Sequence, residues 1–137
     1  MSNPATVVTS MLEATERRDV GQIVSHLAPE VVYQNVPLPP ARGVHAVAKQ
    51  FHAFHRLYTE CEVRVHNIAV NGPVVLTERT DIIRRGAWSA EFWVCGTFEV
   101  HEDRITLWRD YYDQATYLAA CLRGVGRMVV SGLRKAF

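Results

Sequence analysis

The sequence carries no surplus of charge of either sign: Lys plus Arg is 15 against Asp plus Glu at 14, a formal net charge of +1. Without a long-range field, neither nucleic acid nor a membrane is expected as a partner. Cysteine is scarce as well. Cys61, Cys95 and Cys121 are odd in number, far apart and without a C-x-x-C pair, which argues against a disulfide framework or a structural zinc. A reducing cytoplasm is the simplest setting for them. No run approaches the roughly 18 apolar residues of a spanning helix. The start, MSNPATVVTSMLEATERRD, lacks a basic stretch followed by an apolar core, so a soluble, unprocessed protein is expected. There is no G-x-S-x-G elbow and no internal repeat. Gly124 and Gly126 lack the preceding strand and third glycine of a dinucleotide fingerprint.

What is present suits one domain. The 137 residues are 48% hydrophobic and 21% charged, enough for a real core and too few for two ordinary domains. Val8, Met11, Leu12 and Ala14 follow helical spacing over residues 5–18. Asp19 then reads as the cap of a second helix bearing Val20, Ile23, Val24 and Leu27, stopped by Pro29. Residues 31–35 form a brief β-rich run before the Pro37, Pro39, Pro40 loop. Val44, Val47, Phe51, Phe54 and Leu57 predict a third helix over residues 44–58. Four strands should follow at 61–70, 74–84, 88–101 and 104–113. Their short links at Asn71-Gly72, Arg85-Gly86 and Glu102-Asp103 make neighbours antiparallel. A helix at 114–123 closes an α+β domain with helices on one sheet face. The tail beyond Gly124 fits either a helix on a dimer interface or a loosely held end.

Chemistry concentrates in three strands. Alternation puts Trp108, Asp110 and Tyr112 of ITLWRDYYD (105–113) on one face, so an acid sits between two large rings and needs a partner or an unusual pKa. In LTERTDII (76–83), Thr77, Arg79, Asp81 and Ile83 share a face, with Glu78 on the other. Parity alone leaves open which face is inward, and a solvated Arg-Asp pair is the bland alternative. Tyr33 and Asn35 project together from the first short strand. Two carboxylates, a guanidinium, a phenol and an amide suffice for acid-base chemistry on water without a nucleophilic Ser or Cys. His52 and His55 lie three apart on the third helix, yet no second cluster accompanies them, so no metal is expected.

YQNVPLPPARG (33–43), LTERTDII and ITLWRDYYD, in this order, resemble the limonene epoxide hydrolase family within the nuclear transport factor 2-like and ketosteroid isomerase-like superfold. The resemblance runs from the first helix to about Gly124, which divides the chain into a domain at 1–124 and an extension of unknown role at 125–137. It implies a curved, mixed, mostly antiparallel sheet with helices on its concave face. It further implies a homodimer built on the exposed face of the meander, and no cofactor. The family's Asp-Arg-Asp triad falls on Asp81, Arg79 and Asp110. By that resemblance Asp110 takes a proton from the attacking water, Tyr33 and Asn35 position the water, Asp81 protonates the epoxide oxygen, and Arg79 bridges the two acids. The implied pocket walls are Leu12, Phe54, Tyr58, Ile83, Phe92, Val94, Trp108, Tyr112 and Tyr117, a set that suits a small lipophilic epoxide. Singly, each would more ordinarily be core.

Two rival functions share this fold. A ketosteroid isomerase-like or polyketide cyclase-like enzyme would move a proton on carbon and stabilise an enolate. A non-catalytic dimeric scaffold would have no reason to keep five polar groups in a pocket, where each must be satisfied.

Overall fold

The structure is a computed structural model in which residues 3–136 are described; Met1, Ser2 and Phe137 lie outside them. The chain opens with α1 (Pro4–Glu16) and α2 (Val20–Ser25). Asn3 caps α1 by accepting from the Ala5 amide at 2.8 Å, with Pro4 next in the first turn. Asp19 caps α2 by accepting from the Gln22 amide at 3.1 Å. Strand β1 (Leu27–Val36), the two-residue β2 (Ala41–Arg42) and α3 (Val44–Phe54) follow. A meander of β3 (Glu60–Asn71), β4 (Val74–Arg85), β5 (Trp88–His101) and β6 (Arg104–Tyr111) leads to α4 (Gln114–Ala136).

Three expectations change. Pro29 does not end α2; it lies inside β1, in the stretch between Leu27 and Val32 where the ladder to β6 is irregular. An interrupted ladder tolerates a residue without an N–H. The third helix stops at Phe54, short of the predicted Tyr58, and Leu57 is left 65% exposed. The closing helix does not end near Arg123. It runs unbroken from Gln114 to Ala136, so its glycines are accommodated within one helix.

The six strands form one sheet ordered β2-β1-β6-β5-β4-β3. β3 to β6 pair antiparallel with their neighbours, while β1 joins β6 in parallel, so the sheet is mixed and mostly antiparallel. At the β5–β6 turn Glu102 and Asp103 both adopt positive φ, 52° and 61°, the backbone that a tight two-residue hairpin requires. α1, α2 and α3 cover the inner face around Val8, Met11, Leu12, Ile23, Val31, Val47, Phe51, Phe98, Ile105 and Trp108. A second cluster of Tyr58, Ile83, Ala90 and Ala120 sits toward the other end.

α4 has a particular seat. β6 pairs β5 only from Cys95 to His101, which leaves residues 88–94 of β5 without a strand on that side. α4 packs against β5 there, protecting an edge that would otherwise present unpaired backbone groups. Close approach needs small residues. A Cβ at Gly124 would collide with the Ser89 carbonyl, Ala120 is buried, and Arg127 donates to that carbonyl at 2.8 Å.

Candidate active site

β4, β5 and β6 lie side by side, and pairing sets the offset between their side chains. Arg79 is level with Val94 on β5, and Asp110 is level with Gly96. With no side chain at Gly96, the Arg79 guanidinium reaches across β5. Its Nη1 donates to Asp110 Oδ1 at 3.1 Å and Nη2 to Oδ2 at 2.7 Å. On its own strand, Nε donates to Asp81 Oδ1 at 3.0 Å and Nη2 to Oδ2 at 3.3 Å. One guanidinium therefore joins two carboxyls, in the fork geometry that Arg provides and Lys does not. The Arg79–Asp81 pair is thus inward-facing and not a solvated surface pair; Arg79 is 2% exposed. Glu78 takes the outer face and accepts from Asn67 and Trp93.

The carboxyls have different surroundings. Asp110 accepts a third hydrogen bond, from the Trp108 indole at 2.9 Å, and is buried. The sequence marked Trp108 as a wall, and the pairing of residues two apart on one strand face could have suggested this donor as well. Asp81 accepts hydrogen bonds only from Arg79 among the described residues and leaves 18% of its side chain open. Burial raises the Asp81 pKa above the ordinary carboxyl value, against the pull of Arg79 and with the Asp110 charge adding to the rise. Burial opposes the charge on Arg79, but the two acids outweigh it and hold the guanidinium charged.

On the other side of β6, the parallel ladder sets Asn35 level with Asp110 and Tyr33 level with Trp108. The Tyr33 hydroxyl donates to Asn35 Oδ1 at 3.4 Å. Burial, reinforced by Asp110, raises the phenol pKa well above its usual value, so Tyr33 keeps its proton. Its ring lies 4.4 Å from Trp108 and 5.4 Å from Phe51, centroid to centroid.

These groups line a cavity of about 530 Å³. Its lining includes Arg79, Asp81, Asp110, Tyr33, Asn35, and all nine of Leu12, Phe54, Tyr58, Ile83, Phe92, Val94, Trp108, Tyr112 and Tyr117. Phe92, Tyr112 and Tyr117 form an aromatic trio with centroids 4.8–5.9 Å apart. The cavity also touches residues that sequence reasoning did not place there, among them Phe51, Leu38, Leu57, Cys61, Trp88 and Cys121. Phe51 could have been found from its position one helical turn before Phe54. Leu38, in the proline loop, carries no periodic signal, and Leu57 carried one only as the last apolar position of a third helix that in fact stops at Phe54. The Cys61 thiol is pushed up to about 12 by burial and then by Asp81, so it stays protonated and is a poor nucleophile beside the cavity.

A curved mixed sheet with two acids on the strands either side of β5, joined by one buried guanidinium, defines a small α+β enzyme, and the comparisons agree. A sequence profile of the limonene-1,2-epoxide hydrolase catalytic domain matches residues 2–123. Epoxide hydrolase EphG of Mycobacterium tuberculosis is 38% identical over 127 residues, covering 93% of this chain and 85% of that protein. The solved structure of an M. tuberculosis LEH-like epoxide hydrolase superposes with a TM-score of 0.85 at 37% identity, covering 93% of this chain and 96% of that one. An NTF2-like protein from Burkholderia pseudomallei shares the fold at a TM-score of 0.77 and 19% identity, covering 88% of this chain and 98% of that one. The chain belongs to the limonene-1,2-epoxide hydrolase family and is an epoxide hydrolase.

Proposed function

We propose that the enzyme adds water to a lipophilic epoxide in one step, without a cofactor, to give a vicinal diol. The observation that carries this reading is the guanidinium of Arg79 shared between Asp81 and Asp110. With one proton on the two acids the triad sums to zero charge, so it can be buried without an unpaired ion. The raised pKa of Asp81 supports the proton resting there. Asp110, which accepts three hydrogen bonds, is the base.

Tyr33 spends its one proton on Asn35 Oδ1, which leaves the phenol oxygen as an acceptor and the Asn35 amide as a donor. A water beside Asn35 and Asp110 would accept from that amide and point one hydrogen at Tyr33 and the other at Asp110. As Asp110 takes its proton, the water oxygen bonds to an epoxide carbon, the C–O bond breaks, and Asp81 protonates the departing oxygen. The cycle closes when the proton on Asp110 returns to Asp81. Ring strain supplies driving force, so acid, base and orientation suffice without a covalent intermediate. The apolar, aromatic cavity supports a lipophilic substrate.

Exposed Leu76, Trp93 and Tyr111 on the outer sheet face support a homodimer across the meander. Three unpaired cysteines suit a cytoplasmic setting, and no described helix is long and apolar enough to cross a membrane. The test is turnover of a panel of lipophilic epoxides in oxygen-18 water. One solvent oxygen per diol is the expected result. An isomerised product with no added oxygen would overturn the hydrolytic step in favour of proton transfer on carbon.

A further inference from the structure

α4 is amphipathic in a way that packing on β5 does not use. At about 100° per residue, Ala120 and Gly124 share the side that meets β5, and Tyr117 and Cys121 the adjoining side that lines the cavity. One step further round, Leu118, Leu122, Val125, Val129 and Leu133 recur at spacings of three and four, and each is at least 42% exposed. This stripe is about 22 Å long at 1.5 Å per residue. It adjoins the cavity-lining side, and the exposed Leu38 and Leu57 lie on the cavity lining as well.

Charge is equally lopsided. Four of the fifteen Lys and Arg residues lie in α4, at Arg123, Arg127, Arg134 and Lys135, and none of the fourteen acids does. That leaves eleven basic against fourteen acidic residues elsewhere, a net charge of −3. The near-zero total therefore conceals a cationic helix on an anionic body. Arg123, Arg127 and Arg134 fall on the side of α4 away from the apolar stripe. An apolar face backed by a cationic one is the pattern of a helix that lies in a lipid interface.

We propose that α4 docks the enzyme on an anionic bilayer surface, with its apolar stripe in the acyl boundary and the cavity facing the lipid. The sequence's near-neutral charge argued against a membrane partner, but that argument concerns the sum and not its distribution. A second copy of the chain fits less well, because it would cover the stripe and leave the eight cations of the two helices with no acid in either helix to meet them. Nucleic acid would match the cations and leave the apolar stripe uncovered. A lipid surface satisfies both faces. It is also where a lipophilic epoxide concentrates, so the proposal extends the reading above while its measurement requires no turnover.

The test is co-sedimentation of the full chain with vesicles of phosphatidylcholine alone and of an equimolar mixture with phosphatidylglycerol. Binding to the mixed vesicles, weakened by salt, is the expected result. Arg134→Gln/Lys135→Gln should weaken it about thirtyfold, at about fivefold per cation. Leu122→Asp/Val129→Asp should abolish it while circular dichroism and hydrolysis of a water-soluble epoxide stay as in the parent. Failure of the parent to sediment with either vesicle would overturn the proposal. So would unchanged binding by the Leu122/Val129 variant, or its conversion of a larger assembly to monomers with no vesicle binding by the parent.

Discussion

Gly96 faces Asp110 across the β5–β6 ladder, and a methyl group added to it would stand 2.7 Å from Arg79 Nη1. The same methyl would lie 2.7 Å from the Thr77 hydroxyl and 2.9 Å from the Phe98 ring. The bridge between the two acids therefore depends on a position that contributes no atoms to it.

Gly96→Ala should push Arg79 off one carboxyl. Overpacking of this kind costs about 1–3 kcal/mol of stability, and a misplacement near 1 Å lowers kcat by about a hundredfold. Steady-state kinetics at a temperature where circular dichroism shows the variant folded would check it. A parent-like kcat would show that Arg79 can shift without losing the bridge.

Arg79→Ala should be more damaging, because two buried carboxyls lose their shared cation. The cost is about 3–5 kcal/mol on removal of one partner from a buried pair. Denaturant unfolding measures it directly. Arg79→Lys should restore part of the stability and little of the activity, since an ammonium cannot fork to both acids.

Trp108→Phe keeps most of the ring volume and removes the 2.9 Å donor to Asp110. Loss of one hydrogen bond to a charged group costs about 1.5–3 kcal/mol. With each 1.4 kcal/mol equal to a factor of ten, kcat should fall about tenfold or more with KM little changed. Equal losses in Trp108→Phe and Trp108→Leu would point to the hydrogen bond over the ring.

The pH dependence follows from Asp81, whose pKa is raised by burial. The acid that protonates the epoxide oxygen is the neutral form. Rate should therefore be sustained at low pH as far as Asp81 is concerned, and be lost as pH rises through its folded pKa, above the ordinary carboxyl range. Stability linked to Asp81 has the same sign: fully present below the unfolded pKa and lost as pH rises through the folded one. Asp81→Asn should abolish turnover and remove that slope from unfolding free energies measured across the pH range.

Much of the architecture was legible because it rests on local physics. The period of three and four in α1 and α3, the cap at Asp19, and the period of two in β4 and β6 follow from side-chain directions and local hydrogen bonds that each segment sets for itself. Hence Arg79 with Asp81, and Trp108 with Asp110, could be assigned to common faces before any packing was known. The placement of Pro29 inside β1 and the length of α4 were not legible. A bulge excuses a missing N–H only when its partner strand is known, and Gly124 is favoured in α4 because the Ser89 carbonyl stands against it.

By itself the sequence determined which polar groups share a strand face, and its three motifs carried the resemblance to the epoxide hydrolases. Only the tertiary structure decided that Arg79 meets Asp110, thirty-one residues away, and that Asn35 lies level with that acid through the parallel β1–β6 ladder. Register between distant strands is a property of the whole sheet, since each pairing depends on the turns and bulges of its neighbours. The same holds for α4: its apolar stripe is periodic in the sequence, but which side is covered was settled by the free edge of β5.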